Sequence, residues 1–253
     1  MNRLHSTLTS WRERIVPINH VSSFDKTGTI TPEEFVQAGD YLVYKFPTWK
    51  WEAGDPARRR EFLPVDKQYL VTKHVPCIPG RSNSNDNEAE QLEDDWYTTP
   101  SIPHSSESVH DIDSVSEHSN PILSIEEEDA EHDPSAAPHT LQTRTYDLHI
   151  TYDKWYQTPR LWLFGWSETQ VPLGPNDILQ DIQSDYASKT VTIESFPNID
   201  MQMATVHPCR HAEVMLSFIK RSDNVRVDQY LLLFLKFMAS VMPTIEHDQT
   251  MGF

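Results

Sequence analysis

One short segment, residues 206–215, holds the side chains best suited to chemistry. It reads VHPCRHAEVM and places the thiol of Cys209 between the imidazoles of His207 and His211. A thiolate is the nucleophile and metal ligand of cysteine chemistry, and a nearby imidazolium or a helix N-terminus favours that form. The segment therefore predicts a nucleophilic cysteine.

The elements on either side of Cys209 place it at a corner of the chain. Residues 201–206 are typical of a strand, and residues 210–221 are typical of a helix. Cys209 then lies where the strand turns into the helix, a position at which a side chain can be both exposed and held still.

Other interpretations of the cysteine–histidine cluster stay open from the residues alone. A lone cysteine is more often a small buried apolar residue, which is the interpretation we favour for Cys77. The His-x-Cys-x-His spacing also suits zinc, but structural zinc uses four ligands, usually from two paired clusters, and Cys77 is the only other thiol. A cysteine–histidine hydrolase needs a positioned base and a group that orients it, which spacing does not reveal. We expect neither a metal nor a cofactor.

The apolar pattern predicts an α+β core in which helices pack against an antiparallel sheet. A helix begins at Thr31, which precedes a proline at the first helical position. Strands are predicted at residues 41–46, 68–75, 146–152, 160–167, 190–195 and 201–206, the third and fourth as a hairpin whose polar turn contains Pro159. Further helices are predicted at residues 175–186, 210–221 and 225–241, the last apolar on most sides and ended by Pro243.

The formal net charge of −17 is concentrated in one segment. Residues 82–143 contain sixteen Asp and Glu and no Lys or Arg, whereas the rest of the chain carries 22 acidic and 21 basic residues. The segment is also rich in Ser, Asn and Pro and has few apolar residues that would form a core, so we expect it to be disordered. Nucleic acid is not an expected partner, because phosphate binding needs clustered positive charge.

Cysteine usage and apolar runs favour a soluble protein of the reducing cytoplasm. Two cysteines cannot form a disulfide framework, and no Cys-x-x-Cys is present. The N-terminus lacks the continuous apolar core of a signal peptide. The longest apolar run, residues 230–241, is broken by Lys236 and is shorter than the ~20 residues of a membrane span.

At the N-terminus, apolar residues recur at helical spacing: Leu4, Leu8, Trp11 and Ile15. They lie on one face of a predicted helix over residues 1–18, with arginines off that face and Pro17 at its end. Amphipathic helices of this type bind membrane interfaces. Docking on the protein's own core or on a partner is an equal alternative, because surface helices commonly show such a stripe.

Several motifs taken together resemble one known family. They are STLTSWRE at Ser6, TPEEFVQAGDYL at Thr31, FPTWKW at Phe46, FLP at Phe62, VPC at Val75, YDLHITY at Tyr146, KTVTIE at Lys189, HPCRHAEVM at His207, RVDQYLLLFLKF at Arg226 and PTIEHDQTM at Pro243. They cover nearly all of the chain outside the acidic segment, and HPC followed by RHAEVM is the most specific. The chain resembles the autophagy-related protein 3 family, ubiquitin-conjugating-like enzymes that attach a ubiquitin-like autophagy protein to phosphatidylethanolamine.

The resemblance implies a fold and a reaction. The fold is a ubiquitin-conjugating-enzyme-like core of residues 19–81 and 144–253, interrupted by the acidic region 82–143 and preceded by a membrane-sensing helix, residues 1–18. The reaction is an acyl transfer, in which the enzyme accepts the ubiquitin-like protein as a thioester and passes it to the lipid amine during autophagosome formation. The implied partners are the ubiquitin-like protein, its activating enzyme, the ligase-like conjugate complex of autophagy and phosphatidylethanolamine membranes. The implied location is cytoplasmic and transiently peripheral on the forming autophagosomal membrane.

The resemblance also assigns roles to residues. Cys209 matches the family's thioester-forming cysteine, and Thr190 matches the threonine near it, a candidate for binding the oxyanion or positioning the acceptor. His211 is a candidate for a supporting role, in shaping the corner or in docking the activating enzyme. The stripe Leu4, Leu8, Trp11 and Ile15 matches the membrane-sensing helix. The candidate docking points for the activating enzyme are Asp111, Ile112, Asp113, Val115, Ile122, Leu123 and Ile125.

One feature departs from the family pattern. Many members carry a long insert, the handle region, between the last two helices, and in some it bears a Trp-x-x-Leu-type motif that binds the ubiquitin-like protein. Here three residues, 222–224, separate Arg221 from Val225, so the handle region is nearly absent. A second class of function stays open from the sequence: a non-catalytic membrane-associated adaptor with the same fold.

Overall fold

A computed structural model of the chain describes residues 17–78, 144–182, 190–222 and 224–246. These residues form one antiparallel sheet in the order β1-β2-β3-β4-β6-β5. The strands are β1 (Lys50–Glu52), β2 (Tyr69–Cys77), β3 (Arg144–Asp153), β4 (Thr158–Trp166), β5 (Val191–Ser195) and β6 (Gln202–Val206). The helices are α1 (Phe24–Thr27), α2 (Pro32–Lys45), α3 (Pro175–Gln180), α4 (His211–Arg221) and α5 (Tyr230–Val241), with 3₁₀ turns at Pro56–Arg58, Pro208–Arg210 and Val227–Gln229. The predicted α+β core is confirmed.

Helix α2 begins where the capping sequence predicts. The side-chain oxygen of Thr31 accepts a hydrogen bond from the amide of Glu34 at 3.2 Å, and the Glu34 carboxylate accepts one from the amide of Thr31 at 2.9 Å. This reciprocal pair is a capping box, which satisfies two amides that have no partner inside the helix.

The strand predicted at residues 41–46 is wrong, because α2 continues to Lys45. Its β-branched and aromatic residues favour a strand locally. The buried residues Phe35, Ala38 and Leu42, however, recur at helical spacing and place one face of the helix in the core. Tertiary burial therefore outweighed local propensity.

The predicted hairpin forms the centre of the sheet. Strands β3 and β4 pair antiparallel from Thr145 opposite Trp166 to Asp153 opposite Thr158. Pro159, which was predicted in the turn, lies inside β4. The turn itself is residues 154–157.

Alternation along the strands divides their side chains between two faces. One face, which includes Leu148, Ile150 and Leu161, joins helices α2, α4 and α5 in the main core. Eight residues of α5 are buried, which confirms the predicted core helix, and each large apolar side chain buried there contributes roughly 1.5–3 kcal/mol. The opposite face carries a smaller cluster, Tyr69, Val71, Trp162, Phe196 and Met203.

Residues 79–143 connect two neighbouring strands. Cys77 at the end of β2 lies opposite Arg144 at the start of β3, so the segment leaves and re-enters the sheet at adjacent positions. At the start of β3, the Arg144 guanidinium and the Tyr146 hydroxyl both donate hydrogen bonds to the Asp181 carboxylate, at 3.0 and 2.5 Å. Cys77 is fully buried, as predicted, and burial raises the pKa of its thiol to about 11.

Helices long and apolar enough to cross a bilayer are absent from the described part of the chain. The predicted N-terminal helix, apart from its last two positions, lies outside the described residues, as does the acidic region 82–143.

Candidate active site

Cys209 lies at the predicted corner between the end of β6 and the start of α4. Residues Pro208–Arg210 form the 3₁₀ turn that carries it. Cys209 is exposed, whereas Cys77 is buried. Of the two thiols of the chain, the one at the corner is therefore the one that a macromolecular substrate can reach.

The imidazole of His207 caps this turn. Its Nδ1 accepts a hydrogen bond from the backbone amide of Cys209 at 3.3 Å, and its ring lies edge-on to Tyr156 with the centroids 5.4 Å apart. Partial burial lowers the pKa of His207, and the positive charge of Arg160 lowers it further. Because an accepting Nδ1 carries no proton, His207 gives the turn a hydrogen-bond acceptor and not a positive charge.

His211 contacts the same turn from the core side. It is 2% exposed, and its ring packs against Phe234 and Phe237 at centroid distances of 5.5 and 5.6 Å. Its Nδ1 donates to the carbonyl oxygen of Pro159 at 3.0 Å, which links α4 to β4. Burial lowers the pKa of His211 to about 4, so the ring is neutral at pH 7. Its Nε2 has no hydrogen-bond partner among the described residues.

Thr190 is placed beside the turn through its main chain. Its carbonyl oxygen accepts a hydrogen bond from the amide of His207 at 2.8 Å, and the next residue, Val191, pairs with Val206. Thr190 is 9% exposed. Thr190 and Cys209, which the family resemblance pairs in the reaction, thus lie on adjoining segments, and the role of the hydroxyl stays a prediction.

A buried charge cluster beside the site was missed from the sequence. Arg160 of β4 is 6% exposed, and its Nε donates to the Thr205 hydroxyl at 3.0 Å. Its guanidinium lies 2.8 Å from the Glu194 carboxylate, 3.7 Å from the Asp153 carboxylate and 4.7 Å from the centre of the Trp162 ring. The contact with Glu194 is an ion pair that lacks the directional geometry of a hydrogen bond. The feature of the sequence that could have revealed this cluster is Arg160 itself, a single charged residue in the apolar run 159–166.

The chain that leads in from the N-terminus passes the same region. The Asn19 side chain donates to the Gln157 side chain at 3.5 Å, and the amide of Ile30 donates to the Gln157 carbonyl oxygen at 2.9 Å. Gly28, at φ 72°, packs so closely on α4 that a Cβ would lie 2.0 Å from the Ala212 carbonyl oxygen. This segment therefore contacts both the 154–157 turn and the first turn of α4.

Two sets of predicted site residues lie outside the described ranges. They are the membrane-binding set Leu4, Leu8, Trp11 and Ile15, and the docking set Asp111, Ile112, Asp113, Val115, Ile122, Leu123 and Ile125. Among the residues that are described, no three or more His, Cys, Asp or Glu side chains are grouped to hold a metal ion.

Comparison with known proteins gives consistent matches. The family described as "Autophagocytosis associated protein, active-site domain" matches residues 34–249. Autophagy-related protein 3 of Schizosaccharomyces pombe is 44% identical over 271 residues, which cover 98% of this chain and 98% of that protein. The proteins of the same name from Arabidopsis thaliana and Dictyostelium discoideum are 41% and 37% identical, each over 99% of this chain and over 96% and 97% of their own lengths.

Proposed function

The chain belongs to the autophagy-related protein 3 family of conjugating enzymes, and on that premise we propose that it conjugates an autophagy ubiquitin-like protein to phosphatidylethanolamine through a thioester on Cys209. The observation that carries the proposal is the contrast between the two cysteines. Cys209 is exposed on a capped turn, whereas burial raises the pKa of the Cys77 thiol to about 11. A thiolate is the reactive form, so Cys77 is a poor nucleophile.

The first step is a thioester exchange. The sulfur of Cys209 attacks the C-terminal carbonyl of the ubiquitin-like protein, which is bound as a thioester to the activating enzyme. A new carbon–sulfur bond forms to Cys209, and the activating enzyme's thiolate leaves. Covalent capture of this kind divides one difficult acylation into two easier steps.

The second step transfers the acyl group to the lipid. The neutral amine of phosphatidylethanolamine attacks the same carbonyl carbon and loses a proton, the bond to the Cys209 sulfur breaks, and the thiolate leaves. The product is an amide and the enzyme is regenerated. The tetrahedral intermediate carries an oxyanion, and a donor aimed at that oxygen contributes about 3 kcal/mol.

Thr190 is our candidate for that donor or for positioning the acceptor. The support is its main-chain hydrogen bond to His207, which holds it beside the turn that bears Cys209. His211 is assigned a supporting role, because its buried ring joins the start of α4 to Pro159. Rigid contacts of this kind hold the reacting groups in the geometry that the reaction needs.

The membrane brings the second substrate. We assign Leu4, Leu8, Trp11 and Ile15 to a helix that binds the bilayer surface, where phosphatidylethanolamine is concentrated. Asn19 and Gly28 lie on the segment that follows these residues in the chain, and their contacts place that segment against the hairpin turn and α4. The protein would then act from the cytoplasm, transiently at the surface of the forming autophagosomal membrane.

The remaining partners are proteins. We assign the docking set around Asp111 and Ile122 to the activating enzyme, since apolar residues within an acidic tract suit folding on binding. The ligase-like conjugate complex of autophagy is the expected partner of the charged enzyme at the membrane.

The test is covalent trapping with purified components. Incubated with the activating enzyme, ATP and the ubiquitin-like protein, the wild-type chain should form an adduct that thiol reductant cleaves. Cys209→Ser should form an adduct that resists reductant, and Cys77→Ser should behave as wild type. A Cys209→Ser chain that traps nothing, beside a wild type that charges nothing, would identify an adaptor instead of an enzyme.

A further inference from the structure

Tyr156 connects the hairpin turn between β3 and β4 to the Cys209 site. It is half-buried in that turn, and its ring lies 5.4 Å from the imidazole of His207, centroid to centroid, with an angle of 75° between the ring planes. This edge-to-face arrangement is one that aromatic rings prefer. The hairpin turn is therefore joined to the site by a direct contact between two rings.

The backbone is held on both sides of the Tyr156 ring. The Asp153 carboxylate accepts hydrogen bonds from the amides of Trp155 and Tyr156, both at 3.0 Å, as the aspartate of a tight turn does. On the other side, the carbonyl oxygen of Gln157 accepts a hydrogen bond from the amide of Ile30 at 2.9 Å. Because the turn is fixed at both ends, the Tyr156 ring has a defined position from which it restrains its neighbour.

The imidazole of His207 needs such a restraint, because only one orientation of its plane caps the turn. Its Nδ1 accepts a hydrogen bond from the amide of Cys209 at 3.3 Å, and the lone pair of that nitrogen lies in the plane of the ring. The χ2 torsion of a histidine has no sharp preference of its own, and 3.3 Å is long for a hydrogen bond from an N–H group. The contact with Tyr156 supplies the restraint that the rotamer and the hydrogen bond leave weak.

The cap acts on the residue that carries the sulfur. Pro208–Arg210 form a single 3₁₀ turn, and a side chain that accepts from the first amides of a helical turn stabilises that turn as an N-cap does. Loss of the cap would free the backbone at Cys209 and displace the sulfur with it. A displacement of about 1 Å in a reacting group costs up to about a hundredfold in rate, so the orientation of the His207 ring bears on the transfer.

We propose that Tyr156 is a positioning residue for the acyl transfer, whose ring holds the imidazole of His207 in the orientation that caps the Cys209 turn. The inference deepens the proposed function and rests on it for its kinetic readout. It assigns the effect to the ring of Tyr156 and not to its hydroxyl. Tyr156→Leu removes the ring and Tyr156→Phe keeps it. Trp155→Leu makes the same kind of change at the neighbouring residue, which is 48% exposed, and is the matched control.

The first measurement needs no partner protein. NMR follows the exchange of the Cys209 amide proton with water in the isolated full-length chain, and His207→Ala gives the rate without the cap. Exchange should be about threefold to tenfold faster in Tyr156→Leu, the factor that corresponds to one aromatic pair, and close to wild type in Tyr156→Phe and Trp155→Leu. The amide of Glu34 in the capping box of α2 is the internal reference for a folded core.

Two results of this measurement would overturn the inference. One is an unchanged exchange rate of the Cys209 amide in a folded Tyr156→Leu, or in Tyr156→Gln where the leucine variant does not fold. The other is an equal acceleration in Trp155→Leu, which would assign the effect to the hairpin turn as a whole.

The second measurement is a double-mutant cycle on single-turnover transfer from charged Cys209 to vesicles that contain phosphatidylethanolamine. Tyr156→Leu should be about threefold to tenfold slower than wild type, and Tyr156→Phe should restore the rate. Because Tyr156 acts through His207, Tyr156→Leu should cause no further loss in a His207→Ala chain. Losses that multiply in the double variant, or a phenylalanine variant as slow as the leucine variant, would overturn the proposal. If wild type forms no thioester, the proposed function fails, and the exchange measurement still decides whether Tyr156 holds the cap.

Discussion

The backbone amide of His207 donates a hydrogen bond to the carbonyl oxygen of Thr190 across 2.8 Å. The bond joins Thr190, the residue before β5, to His207 at the start of the turn. Cys209 follows His207 by two residues in the same turn. Since it uses only the main chain of Thr190, a change of the threonine side chain leaves it in place. A variant at position 190 therefore tests the hydroxyl while the main-chain donor and acceptor of this bond are both still present.

Thr190→Ala should slow transfer from Cys209 to lipid by about a hundredfold, the effect of losing one oxyanion donor. Formation of the thioester should change less if the hydroxyl acts on the lipid acceptor. The measurement is single-turnover lipidation with the charged enzyme. Thr190→Ser, which keeps the hydroxyl, is the matched control, and an alanine variant as fast as the serine variant would remove the threonine from the mechanism.

Leu8→Asp or Trp11→Asp should leave thioester formation intact and abolish transfer to vesicles. A charge on the apolar stripe opposes insertion into the bilayer surface, whereas charging takes place in solution. The comparison is charging and lipidation by the same preparation, with Glu13→Gln as a control off the stripe. Equal loss of both steps would show that the helix serves folding.

Deleting residues 105–130 should prevent charging by the activating enzyme. The core should survive the deletion, because Cys77 and Arg144 already lie opposite each other and the ends of the connecting segment stay together. Deletion of residues 79–104 removes the same length without the docking set and is the matched control. Normal charging of the first deletion would leave the acidic segment without a docking role.

Acid should destabilise the fold between about pH 6.5 and 4. Burial lowers the pKa values of His149 and His211 to about 4, below the value of an unfolded histidine. Each neutral ring therefore makes its full contribution to the free energy of unfolding above the unfolded pKa, and that contribution is lost as the pH falls towards 4. At pH 5 the loss is about 2 kcal/mol for each ring. Urea unfolding at neutral and acidic pH measures it, and His149→Gln should reduce the pH dependence. Equal free energies of unfolding at the two pH values would contradict this assignment.

Much of the core was predictable because local signals and burial agree there. Thr31 and Glu34 define the start of α2, alternation defines β3 and β4, and the apolar run from Tyr230 defines α5. The error at residues 41–46 arose where β propensity and helical periodicity disagree. In such a segment, the packing of the whole domain decides the outcome.

The candidate site was predictable only in part, for a physical reason. Cys209, His207 and His211 lie within five residues, so the sequence alone shows that they are close together. The pairing of Arg160 with Glu194 and the bond from His211 to Pro159 join distant parts of the chain. Such contacts depend on strand order, and the order β4-β6-β5 follows from tertiary packing.

The central claim is that Cys209 carries the ubiquitin-like protein, and mass mapping of the trapped adduct tests it most directly. Cys209→Ser is incubated with the activating enzyme, ATP and the ubiquitin-like protein, and the reductant-resistant product is digested and sequenced by mass spectrometry. We expect the C-terminal glycine of the ubiquitin-like protein in ester linkage to the side chain at position 209. An adduct on any other residue, or none while the activating enzyme itself is charged, would contradict the claim.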